Sequence, residues 1–220
     1  MATTVGVVVF PGTNCEMDAV EAVGGLGGVG RLLWHGDADL GDVDAGIVPG
    51  GFAHGDYLRP GAIARFSPAM AAVARFAADG GPVVGICNGF QVLTEAGLLP
   101  GALQKNAGLK FLCQPTTLRV ESTDSSLTGS AELGAELSIP INHFEGNYTC
   151  DERTLARLRD EERIVLRYVD NPNGSVDDIA GVCNEARNVV GLMPHPERAC
   201  DDLLGSADGA VLLRSLLDAA

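Results

Sequence analysis

The stretch Pro82-Val83-Val84-Gly85-Ile86-Cys87-Asn88-Gly89-Phe90-Gln91 decides the fold. A short apolar strand stops at a cysteine that has a glycine two residues to either side, and the chain then turns into a segment of helical character. A side chain at so sharp a strand-to-helix turn projects above its sheet, and small residues at the flanking positions let the backbone bend that tightly. The helix expected from Asn88 to about Leu99 aims its first N–H groups and the positive end of its dipole at the sulfur, which favours thiolate over thiol. Cys87 is therefore a candidate nucleophile. Taken alone, the motif is also compatible with a buried structural cysteine at a strand end.

Outward from this stretch the elements alternate. Thr4–Phe10 reads as a strand, about Asn14 to Val23 as a helix, Val29–His35 and Ala45–Val48 as strands, and an alanine-rich helix near Ala62–Ala78 leads into the nucleophile strand. Strand-then-helix alternation predicts an α/β fold, a mostly parallel sheet with helices on both faces. The middle changes character. Leu109–Val120, Glu136–Pro140 and Ile164–Val169 look strand-like, the charged Glu152–Arg163 reads as a solvated helix, and the group suggests a small antiparallel addition. Ile179–Val182 with Asn188–Leu192 predicts a hairpin, and Gly209–Leu217 a closing helix. No repeat or flexible linker stands out, so residues 1–220 read as one domain.

Near the other end, Val189-Val190-Gly191-Leu192-Met193-Pro194-His195-Pro196-Glu197 reads as a second buried strand running into His-Pro-Glu. The two prolines hold the preceding residues extended, so His195 and Glu197, two apart, project to one side. A histidine that takes a thiol proton and a carboxylate that orients the imidazole complete a nucleophile triad in the order Cys87, His195, Glu197. Asn142-His143-Phe144-Glu145-Gly146 offers the same His-x-Glu spacing, and spacing alone leaves both dyads open. The position of His195 after a buried apolar run, where the sites of open α/β sheets collect, favours the later pair.

Composition restricts the chemistry. With 220 residues, 46% of them hydrophobic, the chain can bury one substantial core. A formal net charge of −14 opposes a nucleic-acid or anionic-membrane partner, which would repel the protein. The six cysteines, at 15, 87, 113, 150, 183 and 200, show no Cys-x-x-Cys pair and no leader or long apolar span accompanies them, so a reducing cytoplasmic setting is expected. No zinc-type ligand spacing appears, so no metal site is expected; all cysteines but Cys87 read as structural. There is no Walker loop, and the only lysines are Lys105 and Lys110, so nothing here cradles a nucleoside triphosphate.

Gly85 to Gln91 with His195-Pro196-Glu197 resembles the class I, triad-type glutamine amidotransferases. Further matching segments are Val9 to Glu16, Pro49-Gly50-Gly51-Phe52, Gly55 to Arg59, Asn171 to Ser175 with Ile179 to Gly181, and Met193 to Arg198. Their details are similar to the glutaminase component that serves purine biosynthesis. The resemblance implies a flavodoxin-like sheet and a reaction in which Cys87 attacks the glutamine amide, giving a glutamyl thioester and ammonia. His195 acts as base and acid, Glu197 orients it, and backbone N–H groups near Gly51, Phe52 and Asn88 form the oxyanion hole. Gln91 and His143 hold the amino-acid end of the substrate. It implies no cofactor in this chain, with ATP and Mg²⁺ on a large synthetase subunit and a small third subunit bridging the two. His54 stands where an aromatic is usual, and Asn142 and Phe144 where alanine and glycine are common.

Three other readings stay open from sequence alone: the glutaminase of a different synthase, a flavodoxin-like cysteine hydrolase or deglycase, and a non-catalytic subunit that only binds a partner.

Overall fold

The computed structural model describes residues 2–220. In chain order its first elements are β1 (Thr4–Val9), α1 (Glu16–Gly25), β2 (Val29–Trp34), β3 (Ala45–Val48), α2 (Pro68–Ala78), β4 (Val83–Ile86), α3 (Asn88–Glu95) and β5 (Ala102–Gln104). There follow β6 (Leu112–Val120), β7 (Glu136–His143), β8 (Asn147–Thr149), α4 (Glu152–Asp160), β9 (Ile164–Tyr168), β10 (Ile179–Cys183), β11 (Val189–Leu192) and α5 (Gly209–Asp218). Nine strands form one sheet in the order β2-β1-β3-β4-β11-β10-β9-β6-β7, and β5 pairs with β8 apart from it.

From β2 to β11 neighbouring strands run parallel, and from β11 to β7 they run antiparallel. Every residue of β3, β4 and β11 is buried, because helices cover both faces of the parallel part and leave no polar side. Helices α1 and α5 touch over one face, while α3 packs on β3, β4 and β11. Phe90 of α3 stacks on Tyr148 of β8 with ring centroids 5.8 Å apart, which ties the small sheet to the main one.

Several elements differ in extent from the sequence expectation. The helix expected over Ala62–Ala78 is broken: Ala64–Phe66 form a 3-10 turn, Ser67 is extended at φ −70°, ψ 149°, and α2 starts at Pro68 with the Ser67 hydroxyl capping Met70 N–H. Helix α3 stops at Glu95, ahead of Gly97 at φ 73°, rather than continuing to Leu99. The strand expected at Glu136–Pro140 runs on to His143, since β7 is the sheet edge and the missing Pro140 N–H leaves no bond unmade. β6 begins at Leu112 rather than Leu109, which is at φ 50°, and α4 ends at Asp160 rather than Arg163. The Ile179/Val189 hairpin forms as expected. Among the described residues no helix is long and apolar enough to cross a membrane.

Candidate active site

Parallel strands β1, β3, β4 and β11 end on the same side of the sheet, and the segments leaving them meet there. This is the edge at which ligands of open α/β sheets bind, beside the reversal of strand order at β1 and β3.

Cys87 occupies the turn between β4 and α3 with φ 51° and ψ −105°, a conformation that costs a non-glycine residue about 1–3 kcal/mol. Its neighbours make the turn attainable. A Cβ at Gly89 would stand 1.8 Å from the Val48 carbonyl oxygen, and one at Gly85 2.6 Å from Leu93 Cδ1. The Cys87 N–H donates to the Leu192 carbonyl (2.8 Å), which fastens the turn to β11.

His195 and Glu197 are both buried, and Nδ1 of the imidazole lies 2.6 Å from Glu197 Oε1. The His195 N–H donates to the Pro140 carbonyl (2.9 Å), so the antiparallel part of the sheet braces this residue directly. Burial pulls the imidazole down, but the Glu197 carboxylate and the Cys87 sulfur outweigh it and push His195 up to about 10. Held as an imidazolium, it is a ready proton donor to a leaving amine. The Cys87 thiol points at the Asn142 carbonyl (3.6 Å), and His195 Nε2 has no hydrogen-bond partner.

The competing dyad does not form. Both ring nitrogens of buried His143 lack partners, and Glu145 instead accepts the Gln91 Nε2 amide through its backbone carbonyl (2.5 Å). Burial first, and then His195, pull His143 down to about 4, so it is neutral at ordinary pH. A cavity of about 370 Å³ is lined by Cys87, His195, Gly51, Phe52, Gln91 and His143 together. Asn88 is buried behind it and its first-turn N–H is unused within α3. Its side chain ties the site together, accepting Ala53 N–H at Oδ1 (3.0 Å) and donating to Gln91 Oε1 (2.8 Å) and Asp56 Oδ1 (3.1 Å). The Phe52 N–H is not aimed at the cavity. It donates to the Gly12 carbonyl (3.1 Å).

From sequence Cys15 has a structural role only, and the structure brings it to the edge of this group. Its sulfur, a ring nitrogen of His195 and a Glu197 oxygen all fall within 4.8 Å of one another. Arg198 Nη2 donates to that sulfur (3.2 Å), and burial, working against Arg198, pushes the thiol up to about 12. The segment Val9 to Glu16 is the signal that the start of the chain serves the site, although it meets His195 from the opposite end of the sequence. His54, the first of the departures, packs its ring against Phe10 (6.0 Å) and edge-on to His35 (5.2 Å), filling the aromatic position.

Residues 2–208 match the family described as the CobB/CobQ-like glutamine amidotransferase domain. The chain is 61% identical over 216 residues to phosphoribosylformylglycinamidine synthase subunit PurQ of Rubrobacter xylanophilus, covering 98% of each. It is 54% identical over 218 residues to the protein of the same name from Helicobacter hepaticus, covering 99% of this chain and 98% of that one. Among solved structures it matches a chain of PurLQS from Thermotoga maritima with a TM-score of 0.91 and 43% identity, covering 99% of each. A putative GMP synthase component from Thermoplasma acidophilum matches with a TM-score of 0.68 at 15% identity, covering 100% of this chain and 94% of that one, a likeness of fold.

Proposed function

The chain belongs to the CobB/CobQ-like glutamine amidotransferase family, and from that premise we propose how its site works and what it serves. It is the glutaminase subunit of phosphoribosylformylglycinamidine synthase, the role carried by relatives that match it from end to end. It hydrolyses glutamine to glutamate and ammonia, and the ammonia goes to a synthetase subunit that converts formylglycinamide ribonucleotide to formylglycinamidine ribonucleotide.

The observation that carries the site assignment is the buried His195–Glu197 pair, 2.6 Å apart, in the cavity that Cys87 also lines. The Cys87 thiolate attacks the side-chain amide carbon, and the carbonyl oxygen takes the negative charge. Asn88 N–H stabilises that charge, joined by Phe52 N–H when the Gly51–Phe52 turn releases it from the Gly12 carbonyl. The C–N bond then breaks, the nitrogen takes a proton from His195 and leaves as ammonia, and a glutamyl thioester remains. Water, deprotonated by His195, cleaves the thioester to glutamate and restores the thiolate. Glu197 keeps the imidazole oriented throughout. Gln91 and His143 line the part of the cavity that receives the amino-acid end.

No step of this reaction draws on a cofactor in this chain. ATP and Mg²⁺ belong on the large synthetase subunit, which activates the amide oxygen of the acceptor, and a small subunit bridges the two; the neighbour whose structure is that of PurLQS supports such an assembly. Residues 1–220 act as one glutaminase domain, and the setting is cytoplasmic, a reading supported by six unpaired cysteines. The test is transfer of label: amide-nitrogen-labelled glutamine, given to the reconstituted complex with excess unlabelled ammonium at neutral pH, should deliver its label to the amidine product. Product nitrogen drawn from the ammonium pool instead would contradict the reading.

A further inference from the structure

The mechanism uses one end of glutamine and leaves the other unassigned in charge. The α-carbon end is a zwitterion, and the cavity that holds Cys87 carries four ionisable side chains of the carboxylate, guanidinium and ammonium types on its lining: Asp56, Arg59, Lys105 and Glu145. Arg59 is already committed, gripping Glu95 with Nε and Nη2 at 2.5 and 2.7 Å. Among the described residues, neither Asp56, Glu145 nor Lys105 has an ion-pair partner.

Asp56 is held by the residue next to the nucleophile. Asn88 Nδ2 spends one hydrogen on Asp56 Oδ1 (3.1 Å) and the other on Gln91 Oε1 (2.8 Å), while its oxygen takes Ala53 N–H. The backbone carrying the carboxylate, His54 to Asp56, is left-handed at three successive residues, with φ of 55°, 67° and 53°. The other charge bearing on Asp56 is Glu145, of like sign; burial and this charge push the carboxyl up to about 6 despite the Asn88 bond. Both carboxylates line the cavity.

An independent observation points to a polar ligand in the same place. His143, 3% exposed, lines this cavity with neither ring nitrogen bonded, and a buried polar group left unmatched costs about 1–3 kcal/mol. A ligand that brings a cation to Asp56, an anion to Lys105 and a hydrogen-bonding group to His143 matches each unmet need. Resting on the glutaminase reading above, we propose that Asp56, assisted by Glu145, holds the α-ammonium group of glutamine and so selects α-amino acids over other amides.

The experiment compares glutamine with glutaramate, the same chain without the α-ammonium, as substrates of the reconstituted complex carrying wild-type protein or Asp56→Asn. Asparagine keeps an acceptor for Asn88 and removes only the charge. With glutamine, Asp56→Asn should raise KM about 10- to 100-fold and leave kcat within about threefold, the range expected for one hydrogen bond to a charged group. With glutaramate, wild type should already be as poor as the variant, and the substitution should change nothing further. Glu145→Gln, which leaves the backbone contact to Gln91 in place, should raise KM for glutamine in the same sense and by less. An equal loss on both substrates, or no loss on glutamine, overturns the assignment while the glutaminase reading stands. A wild-type complex that hydrolyses no glutamine overturns both.

Discussion

The backbone N–H of Phe52 donates to the carbonyl of Gly12 at 3.1 Å, so a donor proposed for the oxyanion hole is spent on the first loop of the chain. The bond belongs to a bridge between Thr13 and Gly51, with Gly51 at φ 135°. Glycine turns its peptide planes at little steric cost, so this segment can exchange the Gly12 carbonyl for a reacting oxygen.

Glutamine hydrolysis by the isolated chain should therefore be slow. Adding the synthetase subunit, nucleotide and acceptor should raise it by about 100- to 1000-fold, the typical worth of one oxyanion donor. Glutamate release measured with and without these components decides the matter, and an unchanged rate would show that the loop is no gate.

His195 and His143 should separate kinetically. Replacing His195 by alanine removes the group paired to Glu197 and should lower kcat by about 100- to 10,000-fold. Replacing His143, neutral and unbonded beside the cavity, should mainly raise KM. Steady-state glutaminase kinetics of the two variants in the complex test this, and a larger kcat loss at His143 would reverse the roles.

The reasons that make this site legible in sequence are local and steric. A cysteine at φ 51° needs small neighbours, and Gly85 and Gly89 advertise that need; the His-x-Glu is readable from its spacing, but the chain there is not extended as the two prolines suggest, since Pro196 opens a 3-10 turn over Pro196–Arg198 that carries Glu197. The hairpin at Ile179 and Val189 announces itself by two apolar runs closely spaced. What stays hidden depends on distant contacts: the choice between two identical His-x-Glu spacings, the Cys15 sulfur beside His195, and the diversion of Phe52 N–H to Gly12. The Ser67-Pro68 helix start is readable, and the alanine-rich surroundings obscure it.

Gly89→Ala should destabilise the fold strongly, because the new Cβ would meet the Val48 backbone at 1.8 Å. Overpacking typically costs about 1–3 kcal/mol and occasionally more, and here the obstacle is main chain and cannot move aside as a side chain can. Gly24→Ala, in α1 with nothing within 4 Å of its Cβ, should instead stabilise by about 0.5–1 kcal/mol. Denaturant unfolding of the two variants provides the comparison.

Stability between about pH 4 and 6 should respond oppositely to two residues of the cavity. Asp56 is raised from 3.8 to about 6, so the folded state holds its proton longer and stability from this group is lost as pH rises through that window. His143 is lowered from 6.5 to about 4, so stability from it is lost as pH falls from 6.5 toward 4. Asp56→Asn should gain on wild type as pH rises from 4 to 7, and His143→Asn should gain on wild type as pH falls over the same range. Melting temperatures across that range show whether the two slopes have these opposite signs.

The most direct measurement concerns Cys87→Ser in the fully assembled complex, assayed for amidine formation first with glutamine and then with an ammonium salt. In the proposed mechanism Cys87 generates ammonia and takes no part in the step on the synthetase subunit, so activity with glutamine should vanish and activity with ammonium should match that of the wild-type complex. Equal loss with both nitrogen sources would contradict the division of labour between this chain and its synthetase.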